Sequence, residues 1–250
     1  MTAPAAGRAA FVTGAAQGIG AAIARTLHER GTRVALADVD VDTARKTAAD
    51  IDPAGETALA LEVDVRSRDS IEQGFQAAVE RFGAVQIVVN NAALTVRRSI
   101  WEIEQDEWDS VMEVNLRGVL FGCQVAAPHL RKQGWGRIVN MSSMAGQIGG
   151  VVAGAHYAAS KAGILVLTKI AAKELAADGV TVNAVVPAAI SGPAMDAMPA
   201  DAIANLERTI PVGRVGRPEE VAELVAYLCS DAAGFVTGAA LDINGGLSMR

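Results

Sequence analysis

The sequence predicts an α/β fold, a doubly wound parallel sheet flanked by helices, in a single domain over residues 1–250. Three observations predict it. Short apolar runs such as Ala9 to Thr13 and Val180 to Pro187 alternate with longer helical segments, the order that parallel strands with right-handed crossovers require. The first run ends in a glycine-rich turn, Gly14-Ala-Ala-Gln17-Gly18-Ile19-Gly20, and helical periodicity continues from Ala21 to Arg30. The second run, Arg33 to Asp38, stops on an acid about 20 residues after those glycines, the spacing at which a strand-end carboxylate meets a ribose.

The glycine spacing is G-x-x-x-G-x-G. Glycines there let the backbone approach a pyrophosphate, while the helix amino terminus offers N–H donors and a positive dipole end. Asp38 would accept hydrogen bonds from the adenosine ribose and repel a 2′-phosphate, and no Arg or Lys follows it directly. NAD is therefore expected as cofactor, with NADP disfavoured.

Beyond Asp38, Asp42 to Asp52 reads as a polar helix closed by Pro53 and Gly55, and Thr57 to Val63 as a third strand. Asp64 precedes the amphipathic helix Ser67 to Phe82 and could cap it. The buried strand Val85 to Asn90 leads into Asn90-Asn91-Ala92-Ala93. From roughly Glu107 to Lys132 runs a long helix whose apolar residues wrap most of its circumference, so it should be buried on more than one side. Asn115 inside it needs a partner for its amide.

Arg137 to Ser143 is a buried strand ending in two hydroxyls, which strand alternation turns to opposite faces. Met144 to Ala155 has no helical or strand period and is expected to be a glycine-rich loop roofing a site. The next helix, about Ala155 to Ala177, sets Tyr157 and Lys161 one turn apart on one face, where a cation favours the phenolate. His156 should point away from Tyr157. Strand six, Val180 to Pro187, is followed by a lid over Pro193 to Val212 with a short helix near Asp201 to Arg208. Pro218 to Ser230 is the last helix and Ala239 to Gly246 carries the last strand.

These motifs together resemble the classical short-chain dehydrogenase/reductase family over almost the whole chain. The shared pieces are Thr13-Gly14-x-x-x-Gly18-x-Gly20, Asn90-Asn91-Ala92, the helical Asn115, the Ser142-Ser143 strand end and Tyr157-x-x-x-Lys161. The resemblance implies a Rossmann-type fold and a catalytic quartet of Asn115, Ser143, Tyr157 and Lys161. In it Tyr157 exchanges a proton with the substrate oxygen, Ser143 holds that oxygen, Lys161 bonds the nicotinamide ribose and lowers the Tyr157 pKa, and Asn115 holds a water in the proton path. It further implies that Gly14, Gln17, Gly18, Ile19, Gly20, Asp38, Asp64, Val65, Asn91, Tyr157, Lys161, Pro187 and Ile190 meet the cofactor, with Asp64 and Val65 at the adenine. The chain departs from the family pattern at Ala93 and Ala188, where glycines are usual, and at Gly192, beside which Ser191 stands near a missing threonine.

Composition sets the remaining expectations. A chain of 250 residues can bury roughly 70–75% of its unfolded surface in one core without staples. Cys123 and Cys229 lie in apolar helical context and read as core residues suited to a reducing compartment. A net charge of −6 without a Lys/Arg cluster argues against nucleic acid, and no apolar run approaches a membrane span. With no signal-peptide pattern at Met1 to Arg8, a soluble cytoplasmic protein is expected. His28, His129 and His156 lack ligand spacing, so no metal is expected.

The residues expected to face the reacting carbon, Met144, Ile148, Val151, Val152, Ala188, Met195 and Met198, are apolar. They suggest an uncharged secondary alcohol or ketone, hydride passing between it and NAD(H). A carrier-bound 3-oxoacyl reductase using NADPH is the alternative, with Arg131 and Lys132 as candidate carrier contacts. A sugar or polyol dehydrogenase and a non-catalytic NAD-binding regulator rank lower. The helices bearing Asn115 and Tyr157 have more apolar surface than one sheet can cover, so a homotetramer is expected.

Overall fold

The structure is a computed structural model and describes residues 7–150, 153–192, 195 and 199–249. Alternating runs of Ala, Val, Ile and Leu build seven parallel strands. They are β1 (Ala9–Thr13), β2 (Arg33–Asp38), β3 (Ala58–Glu62), β4 (Ile87–Asn90), β5 (Gly136–Met141), β6 (Val180–Pro187) and β7 (Ala240–Ile243). Their order in the sheet is β3-β2-β1-β4-β5-β6-β7. Strand order reverses between β1 and β4, which puts the crevice of the doubly wound sheet at the carboxyl ends of those two strands.

Both faces of the sheet are covered, so successive strand residues enter different cores. Ala10, Val12, Leu36, Ile87, Val89 and Val139 pack against Ile23 and Leu27 of α1 (Gly18–Glu29), α2 (Val41–Ile51), and Val221 and Val225 of the last helix. On the other face Phe11, Ala35, Val88 and Ile138 meet Ile71 and Phe75 of α3 (Arg68–Phe82), with Leu130 and Leu175 from two further helices.

The long helix is observed from Gln105 to Gln133, but not as one regular piece. It comprises α4 (Gln105–Met112), a π turn over Glu113–Arg117, and α5 (Gly118–Gln133). The π turn carries the fully buried Asn115. The segment expected to be an unstructured roof contains one helical turn, α6 (Ala145–Ile148), started by Met144 N–H donating to the Pro187 carbonyl (3.0 Å). Then follow α7 (Ala155–Leu175), α8 (Ala200–Thr209) and α9 (Pro218–Leu228), the last opened by Glu220 accepting the Arg217 N–H at 2.8 Å. Asp64 does not cap α3. Ser67 does, accepting the Ser70 N–H at 3.2 Å, while Asp64 is held by Arg66. No described helix is long and apolar enough to cross a membrane.

Candidate active site

The turn after β1 is shaped by contacts that only glycine permits. Gly14 has φ +65°, and a Cβ there would lie 2.7 Å from the Ala92 Cα. At Gly20 a Cβ would come within 2.1 Å of the Gly14 carbonyl oxygen, so turn and helix could not close. Asn91 braces the turn: its Nδ2 donates to the carbonyls of Thr13 and Gly14, both at 2.9 Å, and its N–H to Thr13 Oγ1 at 3.0 Å. Gly18 faces open space, and no side chain caps the first N–H groups of α1, leaving them as anion donors.

Asp38 is fixed at the end of β2, accepting the Ala16 N–H (2.9 Å) and the Asp40 N–H (3.0 Å). A cavity of about 540 Å³ runs from Asp38 and Val65 past Gly14, Gln17, Gly18, Ile19 and Gly20 to Ile190 and Ser191. Asp64 and Asn91 line it too. Free N–H donors, close backbone approach and a strand-end acid in one cleft fit a dinucleotide. Pro187 is buried behind this lining, its carbonyl tied to Met144.

The second half of the site gathers around Tyr157, in the first turn of α7. Burial pushes the pKa of its phenol up, and the nearby hydroxyls of Ser143 and Thr95 oppose that shift more weakly. Ser142 faces the other way, donating to the Lys161 carbonyl at 2.7 Å, so only Ser143 serves Tyr157. Lys161 is buried with Nζ 5.6 Å from the Tyr157 ring centre, and donates to the Met141 carbonyl at 2.8 Å. Burial pulls its pKa down to about 8.

A family model described as enoyl-(acyl carrier protein) reductase matches residues 14–248. Cis-4-hydroxycyclohexanecarboxylate dehydrogenase of Sinomonas cyclohexanicum is 42% identical over 240 residues, covering 96% of each chain. The chain is a classical short-chain dehydrogenase/reductase. A 3-oxoacyl-[acyl-carrier-protein] reductase of Staphylococcus aureus is 37% identical, covering 97% of this chain and 98% of its own. An uncharacterised oxidoreductase of Mycobacterium bovis is 40% identical, covering 96% of each. Proteins of this family are oxidoreductases that bind nicotinamide cofactors.

In this short-chain dehydrogenase/reductase burial raises the Tyr157 pKa, and the opposing groups are Ser143 and Thr95. The Asn115 amide accepts the Leu94 N–H (2.7 Å) and donates to the Leu94 carbonyl (2.9 Å) and to Ser160 Oγ (3.2 Å). His156 points away from the phenol as expected. It is fully buried, accepting the Tyr157 N–H at Nδ1 (2.9 Å) and meeting Glu107 through Nε2 (3.1 Å).

Sequence reasoning missed three residues. Thr95, whose hydroxyl weakly opposes the upward pKa shift of Tyr157, comes from a segment without regular structure, where no period marks it. Arg66 lines the cofactor cleft, but its guanidinium is held on Asp64 at 2.7 Å, two residues back, a spacing that could have flagged it. Arg97 lines a separate cavity of about 700 Å³ with Arg98, Gly149, Gly150 and Ala153, so the fold brings positive charge to the roof after all. Of the expected substrate-facing residues, Met195 lines the cleft, Ala188 a neighbouring cavity, and Ile148 is exposed. Val151, Val152, Pro193 and Met198 lie outside the described residues. Cys229 is a core residue and Cys123 a half-buried one; burial pushes both thiols up to about 12, leaving them unreactive.

Proposed function

We propose that this chain moves a hydride between NAD(H) and the carbinol or carbonyl carbon of a secondary alcohol or ketone of modest size. The observation that carries the reading is the buried Lys161 ammonium set 5.6 Å from the Tyr157 ring, one helical turn on, in a chain that also presents a dinucleotide cleft. The bound nicotinamide would supply or accept the hydride. Tyr157 gives a proton to the substrate oxygen in reduction and takes it in oxidation. Ser143 donates to the same oxygen and fixes it against Tyr157. Lys161 has three N–H groups, of which the Met141 carbonyl takes one, leaving others for the ribose and the proton path. Asn115 acts through Leu94, as a positioning residue.

Asp38 supports NAD, since two backbone N–H groups fix its carboxyl group at the end of β2 in the cofactor cleft, where it can accept ribose hydroxyls and crowd out a 2′-phosphate. Arg66 is engaged by Asp64 and does not offer a free cation to a 2′-phosphate. For carrier-bound substrates, the acyl-carrier reductase relative speaks in favour. Against it, Arg131, one of the two expected carrier contacts, is paired with Asp178 at 2.9 Å. A specific observation favours a second reading, a cyclic hydroxy acid: Arg97 stands beside the roof, and one relative is named for such a substrate.

Steady-state comparison of an alkyl or aryl ketone, a polyol, a hydroxycycloalkane carboxylate and a 3-oxoacyl thioester, each with both cofactors, tests these readings. NAD(H) should be preferred by roughly tenfold or more, the worth of about one charged hydrogen bond. Equal use of NADP(H) would remove the assignment of Asp38. A kcat/KM more than about tenfold higher for the thioester would overturn the small-substrate reading. If the hydroxy acid leads, Arg97→Ala should raise KM for the acid and leave the uncharged ketone unaffected.

A further inference from the structure

We propose that His156 is a positioning residue for the reaction: its Nδ1 caps the first turn of α7 and so holds the backbone of Tyr157 in the place from which the phenol works. The inference rests on Tyr157 being the proton carrier. A helix leaves its first N–H groups without partners of its own. In α7 the Ala158 N–H donates to the Gly154 carbonyl at 3.1 Å, and the Tyr157 N–H, one residue earlier, has no helical acceptor. Gly154, the residue before the helix, has no side chain with which to cap it. His156 fills that role from inside the turn, accepting the Tyr157 N–H at 2.9 Å. The Tyr157 carbonyl is held as well, accepting the Ser160 hydroxyl at 2.7 Å, and Ser160 in turn accepts from the Asn115 amide at 3.2 Å. Both backbone polar groups of Tyr157 are thus gripped by side chains.

The tautomer of His156 follows from its partners. A ring nitrogen that accepts carries no proton, so the one proton of neutral imidazole sits on Nε2 and donates to Glu107 at 3.1 Å. Glu107 is suited to receive it, because Arg98 donates to one of its oxygens at 2.8 and 3.1 Å and holds its carboxyl below the ordinary carboxylate range. Glu107 therefore sets the tautomer that leaves Nδ1 free to cap. The ring is fully buried and pressed against the helix start, where a Cβ on Gly154 would lie 2.3 Å from His156 Cε1. It has little room to tip. A catalytic group displaced by about 1 Å can cost on the order of 10²-fold in rate, so a frayed first turn would be felt in turnover. Neither His156 nor Tyr157 lines the cofactor cleft, so cofactor binding should be spared.

Two amides separate the roles of the two nitrogens. Asparagine sets its oxygen as many bonds from Cα as imidazole Nδ1, which keeps the cap and gives up Glu107. Glutamine sets its amide as far out as Nε2, which keeps Glu107 and gives up the cap. His156→Asn should retain kcat within about threefold, whereas His156→Gln and His156→Leu should lose about tenfold or more, with KM and the NADH dissociation constant within about twofold in all three. Equal kcat in the asparagine and glutamine variants, both high or both low, would overturn the proposal, since a residue that only fills the core does not distinguish them. Should the variants fail to fold, nitrogen NMR of the parent protein decides. The chain has three histidines, and His28→Gln and His129→Gln assign the other two. His156 should show a protonated Nε2 and a bare Nδ1, and the reverse tautomer would overturn the cap. Activity surviving Tyr157→Phe would instead overturn the reading of Tyr157, while the imidazole spectrum would still report whether His156 caps α7.

Discussion

Removing one oxygen at position 157 leaves the ring and its packing but takes away the proton carrier. Tyr157→Phe should therefore reduce turnover by more than about 10²-fold while NADH still quenches or enhances protein fluorescence on binding. A variant keeping a tenth of the activity would contradict the role. The two serines at the end of β5 separate function from stability. Ser143→Ala should lose most activity, since Ser142 is turned away onto the Lys161 carbonyl and leaves Ser143 to hold the substrate oxygen. Ser142→Ala should keep more activity but lose roughly 1–3 kcal/mol of stability, because the buried Lys161 carbonyl loses its donor. Kinetics and urea midpoints of both variants check the split. That division was readable from strand alternation, since period two turns neighbours to opposite faces. The fastening of the segment after β4 was not readable, because Leu94, Val96 and Arg98 are held by Asn115, Gly154 and Glu107, residues distant in sequence.

At the scale of elements, local patterns specify most strands and helices, and failures occur where tertiary contact overrides them. The helix period around Asn115 is continuous, so nothing in it announces the π turn that lets a buried amide reach across to Leu94. The turn at Ala145–Ile148 likewise depends on the Pro187 carbonyl rather than on its own glycine-rich sequence. Ala189 shows the opposite case, a non-glycine residue held at φ +52° beside Ile190, at a cost of order 1 kcal/mol that sequence alone does not reveal. Helix α5 gives a quantitative test. Helix propensity says that Gly122→Ala should stabilise by about 1 kcal/mol. Packing says otherwise, since a Cβ there would lie 2.1 Å from Asn90 Oδ1. Asn90 cannot yield freely, because its amide donates to Asn140 at 2.8 Å and Asn140 in turn donates to Thr168 at 3.0 Å. Packing should win, and Gly122→Ala should destabilise by roughly 1–3 kcal/mol in urea unfolding. A stabilised variant would mean that the polar chain from β4 through β5 to α7 is looser than its distances indicate.

For the molecule as a whole, the alternation of strands and helices made the doubly wound sheet legible, and its observed order puts Asp38 and the glycine turn in one cleft. What the helices on the far face meet is a separate question of surface. Helices α4, α5 and α7 cover the sheet with one side, as Val111, Leu130 and Ile164 do in the core. Their other side carries Trp108, Leu120, Val166 and Ile170, all exposed. Between them lies a groove lined by Met112, Leu116, Leu120, Val166 and Leu167, with the Glu113–Arg117 ion pair (2.9 Å) at its polar margin. A face apolar at its centre and paired in charge at its edge suits a two-fold contact with itself. Near the other end of the sheet, Tyr227 on α9 and Phe235 are exposed as well, a second self-contact candidate. Two independent two-fold contacts generate a tetramer, so light scattering at micromolar concentration should give four times the 25.8 kDa chain. Val166→Asp should reduce the mass to that of a dimer joined through the Phe235 region, and Phe235→Asp to one joined through α5 and α7. Together the two substitutions should yield monomers, and a wild-type monomer would remove the assembly altogether.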